Sequence, residues 1–322
     1  MALNEEGVMI VPGIDSRWVQ LQNGARAHYS AAGSEGPAVI LLHGGIVGSS
    51  GQAGWRYMIP FLAENGFRVF APDRPGFGLA DTREQYWPKR GFLSWVEFVN
   101  DFADALCLDK FFLAGNSQGA QAAATYAVNY PERVERLILI ATGGVNQALN
   151  VDMSKVLPST IKTPPYDGTP AGMQALMEPI IYRKESFSQD LLDMRSMMAN
   201  IQTDSNKAAN AFNSRAATDP NVKQLLNLEG RLDKITIPTI YLYGRQDVLG
   251  PVENAYLQED KLPNVQMFYP DECGHQGQSD QPDMFNQVFL EFFRDGQVSR
   301  KTADWAGVST RRPEIASLVA QS

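Results

Sequence analysis

Gly115-Asn116-Ser117-Gln118-Gly119 carries the strongest chemical signal in this chain. It matches the spacing G-x-S-x-G, follows the apolar run Lys110 to Ala114 and opens an Ala-rich stretch of helical character. A serine in a sharp strand-to-helix turn needs small neighbours, because a Cβ beside it would collide with the backbone. Gly115 and Gly119, with Ala120, supply that relief. The hydroxyl is then presented where a helix N-terminus points its free N–H groups at any developing negative charge. Ser117 is therefore the expected nucleophile, and the Gln118 N–H one expected donor to an oxyanion.

A serine hydroxyl needs a base, and the chain offers three histidines, His28, His43 and His275. On an elbow of this kind the acid and then the histidine follow the serine in the chain, and only His275, in Cys273-Gly274-His275, does so. The acid belongs between them, on a loop after a core strand. Tyr241-Leu-Tyr-Gly-Arg-Gln-Asp247 puts Asp247 there. Asp271 and Glu272 are rivals, but they sit on the His275 loop itself, where a carboxylate has difficulty turning back onto the imidazole. The acid fixes the tautomer and stabilises the imidazolium. His43-Gly44-Gly45 closes an early strand. Its glycines let the main chain approach a reacting carbonyl, so Gly45 N–H is the expected second donor, with His43 fixing the loop by hydrogen bonding.

These groups need a rigid support, and the chain supplies its elements in order. Trp18 to Leu21 and Ala27 to Tyr29 read as a hairpin turning at Asn23-Gly24. Ala38 to His43, Phe67 to Ala71, Lys110 to Ala114, Leu137 to Ile140, Pro238 to Tyr243 and Val265 to Tyr269 read as buried strands. Helices intervene. Ser94 with Glu97 has the pattern of a capping box, ahead of an apolar stripe at Trp95, Val99, Phe102 and Leu106. Gln118 to Asn129 ends before Pro131, and Asp283 to Arg294 carries Phe285, Val288, Phe289 and Phe292 on one face. This alternation predicts a doubly wound α/β core.

The rhythm breaks between about Gly144 and Arg231, where Met173 to Glu178, Gln189 to Ile201 and Asn206 to Ala217 read as helices. A helical lid over 146–230 is predicted, inserted between a first core part, 1–145, and a second, 231–322, with a C-terminal extension. Met173, Met177, Met194, Met197 and Met198 fall in this block; methionines adapt to irregular ligands but more often serve ordinary packing. The tail after Gln297 is expected to pack back on the body or on a second copy of the chain in a homodimer.

Bulk properties narrow the function classes. Of 322 residues, 44% are hydrophobic and 20% charged, the balance of a chain that buries a sizeable core. The formal net charge is -8, with no clustered Lys/Arg stripe, which argues against nucleic acid and anionic membrane and for a small-molecule substrate. No apolar run approaches the roughly 20 residues of a membrane helix, and the first residues lack a secretory pattern. Two cysteines, Cys107 and Cys273, suit neither a disulfide framework nor a zinc site, so a cytoplasmic, metal-free and cofactor-independent protein is expected.

With these elements in place the chain resembles the α/β-hydrolase superfamily along nearly its whole length, including Asp73-Arg-Pro-Gly-Phe-Gly78. The likeness implies a mostly parallel eight-stranded sheet flanked by helices. Within the superfamily it is similar to the meta-cleavage-product hydrolases, which split a C–C bond in vinylogous 1,5-diketones from aromatic-ring degradation. His43-Gly44-Gly45, Gly115-Asn116-Ser117, Thr142-Gly143-Gly144-Val145, Leu192-Asp193-Met194-Arg195 and Cys273-Gly274-His275 with Asp283-Met284-Phe285-Asn286 carry that likeness. It implies that Arg195 binds the dienoate carboxylate and that Asn116 supports the site, with Gly44 and Gln276 also lining it.

The departures are local. Ile46-Val47-Gly48 stands where the family has Gly-Pro-Gly, Gln276 where a tryptophan follows the catalytic histidine, and an asparagine is replaced near Gly54. The resulting expectation is a hydrolase of a carbonyl substrate that cleaves a C–C bond, with carboxylesterase or lactonase as the alternative. A non-turnover receptor on the same scaffold is the alternative of another class. An aspartate would replace Ser117 in dehalogenase or epoxide-hydrolase chemistry.

Overall fold

The computed structural model describes residues 2–141 and 144–321. One eight-stranded sheet runs through it, made of β1 (Asp15–Gln20), β2 (Arg26–Ala32), β3 (Ala38–Leu42), β4 (Arg68–Pro72), β5 (Phe111–Asn116), β6 (Val134–Ile140), β7 (Thr239–Leu242) and β8 (Val265–Phe268). Its order is β1-β2-β4-β3-β5-β6-β7-β8. β1 and β2 pair antiparallel, β2 pairs antiparallel with β4, and every later pairing is parallel. The parallel strands β3, β5, β7 and β8 are buried at every position, which is why they read as largely apolar runs.

Helices cover both faces. On one side α3 (Phe92–Ala105) and α4 (Gln118–Asn129) share a core with Ile40, Leu42, Leu113, Leu137 and Tyr241; on the other α1 (Gly51–Trp55), α2 (Met58–Glu64) and, near the chain end, α12 (Pro282–Asp295) share one with Val39, Leu41, Ile138 and Ile240. Adjacent residues of one strand thus feed opposite cores. The capping box expected at Ser94 is corrected. The α3 helix starts two residues earlier behind Gly91 at φ 59, the Ser94 hydroxyl accepts the Arg90 N–H at 3.0 Å, and Glu97 is paired by Arg90 instead of reaching back to a cap.

Between β6 and β7 the described chain forms helices only: α5 (Gly144–Ala148), α6 (Pro170–Met177), α7 (Gln189–Ile201), α8 (Thr203–Ala216) and α9 (Pro220–Leu226). α6 begins three residues before its predicted start because Thr169 caps it, accepting from Gly172 N at 3.0 Å. The unpredicted α9 starts at Asp219-Pro220, with Asp219 accepting from Asn221 N. Met173 and Met177 are buried with Leu176, Ile181 and Leu192, and Met194 and Met198 with Val8 and Leu191. Ile46 and Val47, where the sequence departs from the family, pack against the first of these clusters.

After β7 come α10 (Val252–Glu259), the short α11 (Gly277–Asp280), α12 and α13 (Arg300–Trp305). The tail folds back on the chain's own body along the β8 edge. Ser309 N donates to Met267 O at 2.9 Å, Ile315 N to Gln266 Oε1 at 2.8 Å and Arg312 Nη1 to Leu262 O at 2.6 Å. An open edge strand is thereby covered.

Candidate active site

Ser117 sits between the end of β5 and the first residue of α4 with φ 57 and ψ -124, a conformation costly for a residue with a Cβ. The neighbouring packing explains what holds it there. A Cβ on Gly115 would meet Gly119 O at 2.2 Å, and one on Gly119 would meet Leu42 O at 2.2 Å and His43 O at 2.6 Å. Only glycine lets α4 press on the end of β3 while β5 turns directly into it. The Ser117 N–H donates to Ile140 O at 2.8 Å, which anchors the elbow to β6.

The loops after β7 and β8 deliver the other two side chains to the same end of the sheet, where ligands of open parallel sheets bind. His275 Nε2 lies 2.8 Å from Ser117 Oγ, and its Nδ1 lies 2.8 Å from Asp247 Oδ2. Asp247 is buried, and its other oxygen accepts from Leu249 N at 2.8 Å and Gly250 N at 3.1 Å. With Nδ1–H donating to the carboxylate, Nε2 is left to accept the serine proton. The rival acids are engaged elsewhere: Asp271 accepts from Gln246 and Glu272 pairs with Arg183, both exposed.

Backbone contacts fix the histidine loop from three sides. Asn116 Nδ2 donates to His275 O at 3.0 Å, His275 N donates to Ile180 O at 3.2 Å, and Gly274 N donates to Asp280 Oδ2 at 2.8 Å. The other oxygen of Asp280 accepts from Arg183 N at 3.0 Å, so one buried carboxylate joins the histidine loop to the chain following α6. Burial raises its carboxyl to about 6 although backbone N–H groups bond it. Sequence reasoning missed Asp280; the signal is an acid five residues after His275, whose burial the sequence does not reveal. Gln276 is buried at the N-cap of α11 next to His275.

Gly44 and Gly45 lie beside the elbow. Gly44 O accepts from His43 Nδ1 at 2.7 Å and Arg74 Nη2 at 2.8 Å, and His43 Nε2 accepts from Arg74 N at 3.1 Å. Burial, then the nearby Arg74 cation, pushes the His43 imidazole down to about 3. His43 is thus a neutral brace. Among the described residues neither the Gly45 N–H nor the Gln118 N–H donates to a protein acceptor. A Cβ on Gly45 would meet the Gln118 side-chain oxygen at 1.9 Å, so the carboxamide lies over this loop.

Arg195, on α7, approaches the same loop: its carbonyl lies 2.4 Å from where a Gly48 Cβ would be. Its side chain is 1% exposed, Nε and Nη1 have no hydrogen-bond partner, and no carboxylate among the described residues pairs with it. Burial, then the Arg56 cation, pushes the guanidinium down to about 9. Of the Thr142-Gly143-Gly144-Val145 stretch, Thr142 and Gly143 lie outside the described residues.

A second serine, histidine and aspartate line up elsewhere. Ser16 Oγ lies 2.9 Å from His28 Nε2, and His28 Nδ1 lies 2.8 Å from Asp73 Oδ2. The surroundings separate this set from the first. The Ser16 hydroxyl donates to Glu6 Oε2 at 2.5 Å, and hydrogen bonds from Ser16 and then Trp18 hold the Glu6 carboxyl below its ordinary value, so a carboxylate already takes the proton that a base would need. Ser16 also lies in the β1–β2 ladder, without a helix N-terminus to receive an oxyanion. Asp73 is a brace, accepting from Gly51 N and Leu79 N as well.

Among the described residues no group of three His, Cys, Asp or Glu is placed to hold a metal ion, and no helix is long and apolar enough to cross a membrane. Residues 37–282 match a family described as alpha/beta hydrolase fold. The 2-hydroxy-6-oxo-6-phenylhexa-2,4-dienoate hydrolase of Burkholderia cepacia is 30% identical over 84% of this chain and 92% of its own. The 2-hydroxy-6-oxononadienedioate/2-hydroxy-6-oxononatrienedioate hydrolase 1 of Pseudomonas putida is 28% identical over 86% of this chain and 96% of its own. Among solved structures, the meta-cleavage product hydrolase of Pseudomonas fluorescens, in a mutant complexed with acetates, superposes with TM-score 0.66 at 26% identity, covering 88% of this chain and 99% of that one. With its elbow, its strand order and these relatives, the chain belongs to the α/β-hydrolase fold family, among the meta-cleavage-product hydrolases.

Proposed function

We propose that this protein hydrolyses a C–C bond in a vinylogous diketone, with Ser117 as nucleophile, His275 as general base and acid, and Asp247 as the residue that orients the imidazole. The observation that carries the reading is the unbroken hydrogen-bond chain from Ser117 through His275 to Asp247 on a strained elbow. After the dienol ketonises, His275 takes the proton of Ser117, or of a water in its place, as the oxygen attacks the ketone carbon beside the scissile bond. The carbonyl oxygen becomes an oxyanion received by the Gly45 and Gln118 N–H groups. Its collapse breaks the C–C bond, the electron pair leaves on the carbon of the dienoate half, and His275 returns its proton there. Water activated by His275 then frees the acyl group from Ser117.

Arg195 is the clamp for the dienoate carboxylate in this reading. A buried guanidinium without a counter-ion is costly, and a bound carboxylate removes that cost by supplying the opposite charge and an acceptor for an unpartnered N–H. The helices between β6 and β7 act as the lid that carries the clamp. Purified protein assayed on ring-fission diketones, aryl esters and lactones tests the reading. Diketone cleavage that falls by roughly 10³-fold or more in Ser117→Ala, with folding intact, supports it. Turnover of esters or lactones alone overturns the C–C assignment, and tight binding with no turnover of any class overturns the enzyme.

A further inference from the structure

We propose that Asp280 is a positioning residue for the catalytic base: it clasps residues 180–183 of the lid onto the histidine loop, so that His275 stays in register with Ser117 only while that stretch is seated. The inference rests on the reading of Ser117, His275 and Asp247 given above and deepens it. The main chain of the lid crosses the histidine loop at backbone distance, since a Cβ on Gly274 would meet Ile180 O at 2.7 Å and Tyr182 N at 3.3 Å. His275 N donates to Ile180 O at 3.2 Å. Asp280 bridges the two segments. Its Oδ2 accepts from Gly274 N at 2.8 Å, its Oδ1 accepts from Arg183 N at 3.0 Å, and the Tyr182 N–H bonds the same carboxylate. Donors from both segments thus meet on one buried side chain.

Both ends of the clasp lead to working parts. On the lid side Ile181 is buried with Met173 and Met177 of α6 and Leu192 of α7, so a movement of those helices carries 180–183 with it. On the other side the His275 carbonyl is held by Asn116 Nδ2 and its Nδ1 by Asp247, while the N–H groups of Gly274 and His275 have Asp280 and Ile180 as acceptors. Lifting the lid stretch strips those acceptors from the two residues that carry the imidazole, and a drift of about 1 Å is enough to spoil its contact with Ser117 Oγ, 2.8 Å away when seated. Stability alone does not account for Asp280. Burial raises its carboxyl to about 6, so at neutral pH the side chain is ionised at a cost to the folded state. The cost is explained if the carboxylate serves the base, because a carboxamide of the same size offers one oxygen and turns its NH2 toward the remaining donors.

The lid end is tested without altering the histidine loop, by Arg183→Pro read against Arg183→Ala. Both lose the guanidinium that bonds Gln281 and pairs with Glu272, but only proline lacks the N–H that Asp280 accepts, and φ -91 at this position lies close to the range its ring prefers. kcat and KM are measured on an aryl ester beside the parent and Ser117→Ala, and the proton between His275 Nδ1 and Asp247 is followed by its low-field NMR resonance. Relative to Arg183→Ala, the proline variant should lose about tenfold in kcat, the effect of one hydrogen bond to a charged group, with KM moving less than about twofold and the resonance broadened. Asp280→Asn should do the same relative to the parent, and it decides alone if the proline variant does not fold. An unchanged kcat, a change confined to KM or a resonance as sharp as the reference in either folded variant overturns the clasp. The resonance needs no turnover, so broadening in the variants while Ser117→Ala keeps the parent's rate overturns the nucleophile and keeps the clasp.

Discussion

Gly119→Ala sets helix propensity against close packing, and the geometry decides the sign. Alanine in place of glycine within α4 should by propensity alone stabilise the helix by about 1 kcal/mol. The new methyl group, however, would stand 2.2 Å from Leu42 O and 2.6 Å from His43 O, where ordinary contact begins near 3.4 Å. Both obstacles are backbone, so no rotamer change relieves them, and α4 must move from the end of β3 by about 1 Å. Overpacking of this kind costs about 1–3 kcal/mol, which exceeds the gain and leaves a net loss. The same movement parts Ser117 and Gln118, on the α4 side, from Gly44 and Gly45, on the β3 side. A shift of about 1 Å in such an arrangement lowers turnover by about 100-fold. The assay is urea unfolding together with kcat/KM on an aryl ester. Gly54→Ala in α1 serves as control, since its Cβ would meet His43 Cβ at an ordinary 3.4 Å, and it should keep activity within about twofold. A Gly119→Ala protein with the parent's urea midpoint and turnover would refute the reasoning.

Arg195→Ala should raise KM for carboxylate-bearing substrates by about tenfold or more and leave neutral esters little changed; an unaltered ratio between the two classes discards the clamp. Ser16→Ala should leave kcat/KM within about twofold, and a loss near that of Ser117→Ala would make the second serine, histidine and aspartate set catalytic. Arg74→Met should lower kcat by about tenfold with KM little moved, and an unchanged kcat would separate Arg74 from the oxyanion loop. For Asp280 the sign of the pH effect is unusual. Its folded value, about 6, lies above the ordinary 3.8, so its contribution to stability is fully present below about pH 4 and is lost as pH rises through 6. Asp280→Asn lacks that contribution, so the stability gap between parent and variant should widen by about 2 kcal/mol as pH falls from 7 to 4; a gap independent of pH in urea titrations contradicts the assignment.

The sequence conveyed most where one local rule coincided with one structural need. The glycines around Ser117 were legible because a strand turning at once into a helix tolerates nothing larger, and the central strands because burial on both faces leaves only apolar residues. The start of α3 was misread because Ser94 and Glu97 satisfy the capping pattern equally well from inside a helix, where Ser94 bonds back to Arg90 N instead. Asp280, and the partnerless state of Arg195, could not be read at all, since both depend on which distant segments close over them. The Ser16, His28 and Asp73 set shows the opposite hazard: side chains at catalytic distances gain no catalytic setting unless the serine proton is free and an anion has somewhere to go.

A chain of net charge -8 nevertheless buries three guanidiniums, those of Arg56, Arg74 and Arg195, near the elbow. Arg56 is spent on the carbonyls of Ala53 and Ser186, tying α1 to the approach of α7, and Arg195 has no carboxylate partner among the described residues. Arg74 acts on the peptide group itself. The Gly44 carbonyl and the Gly45 N–H belong to one planar unit, and the carbonyl receives both His43 Nδ1–H and a charged Arg74 N–H. Two donors on that oxygen fix the peptide plane and draw electron density toward it, which strengthens the N–H on the opposite side as a donor. An oxyanion hole made of backbone is useful only if its dipoles are already aligned when charge develops. Here the alignment is supplied by a neutral His43, kept uncharged by burial and by Arg74, so that the imidazole can donate from Nδ1 and accept the Arg74 N–H at Nε2 at the same time. Protonating His43 would remove that acceptor, and losing Arg74 would remove one donor from Gly44, so both residues hold the Gly45 N–H ready without touching the substrate.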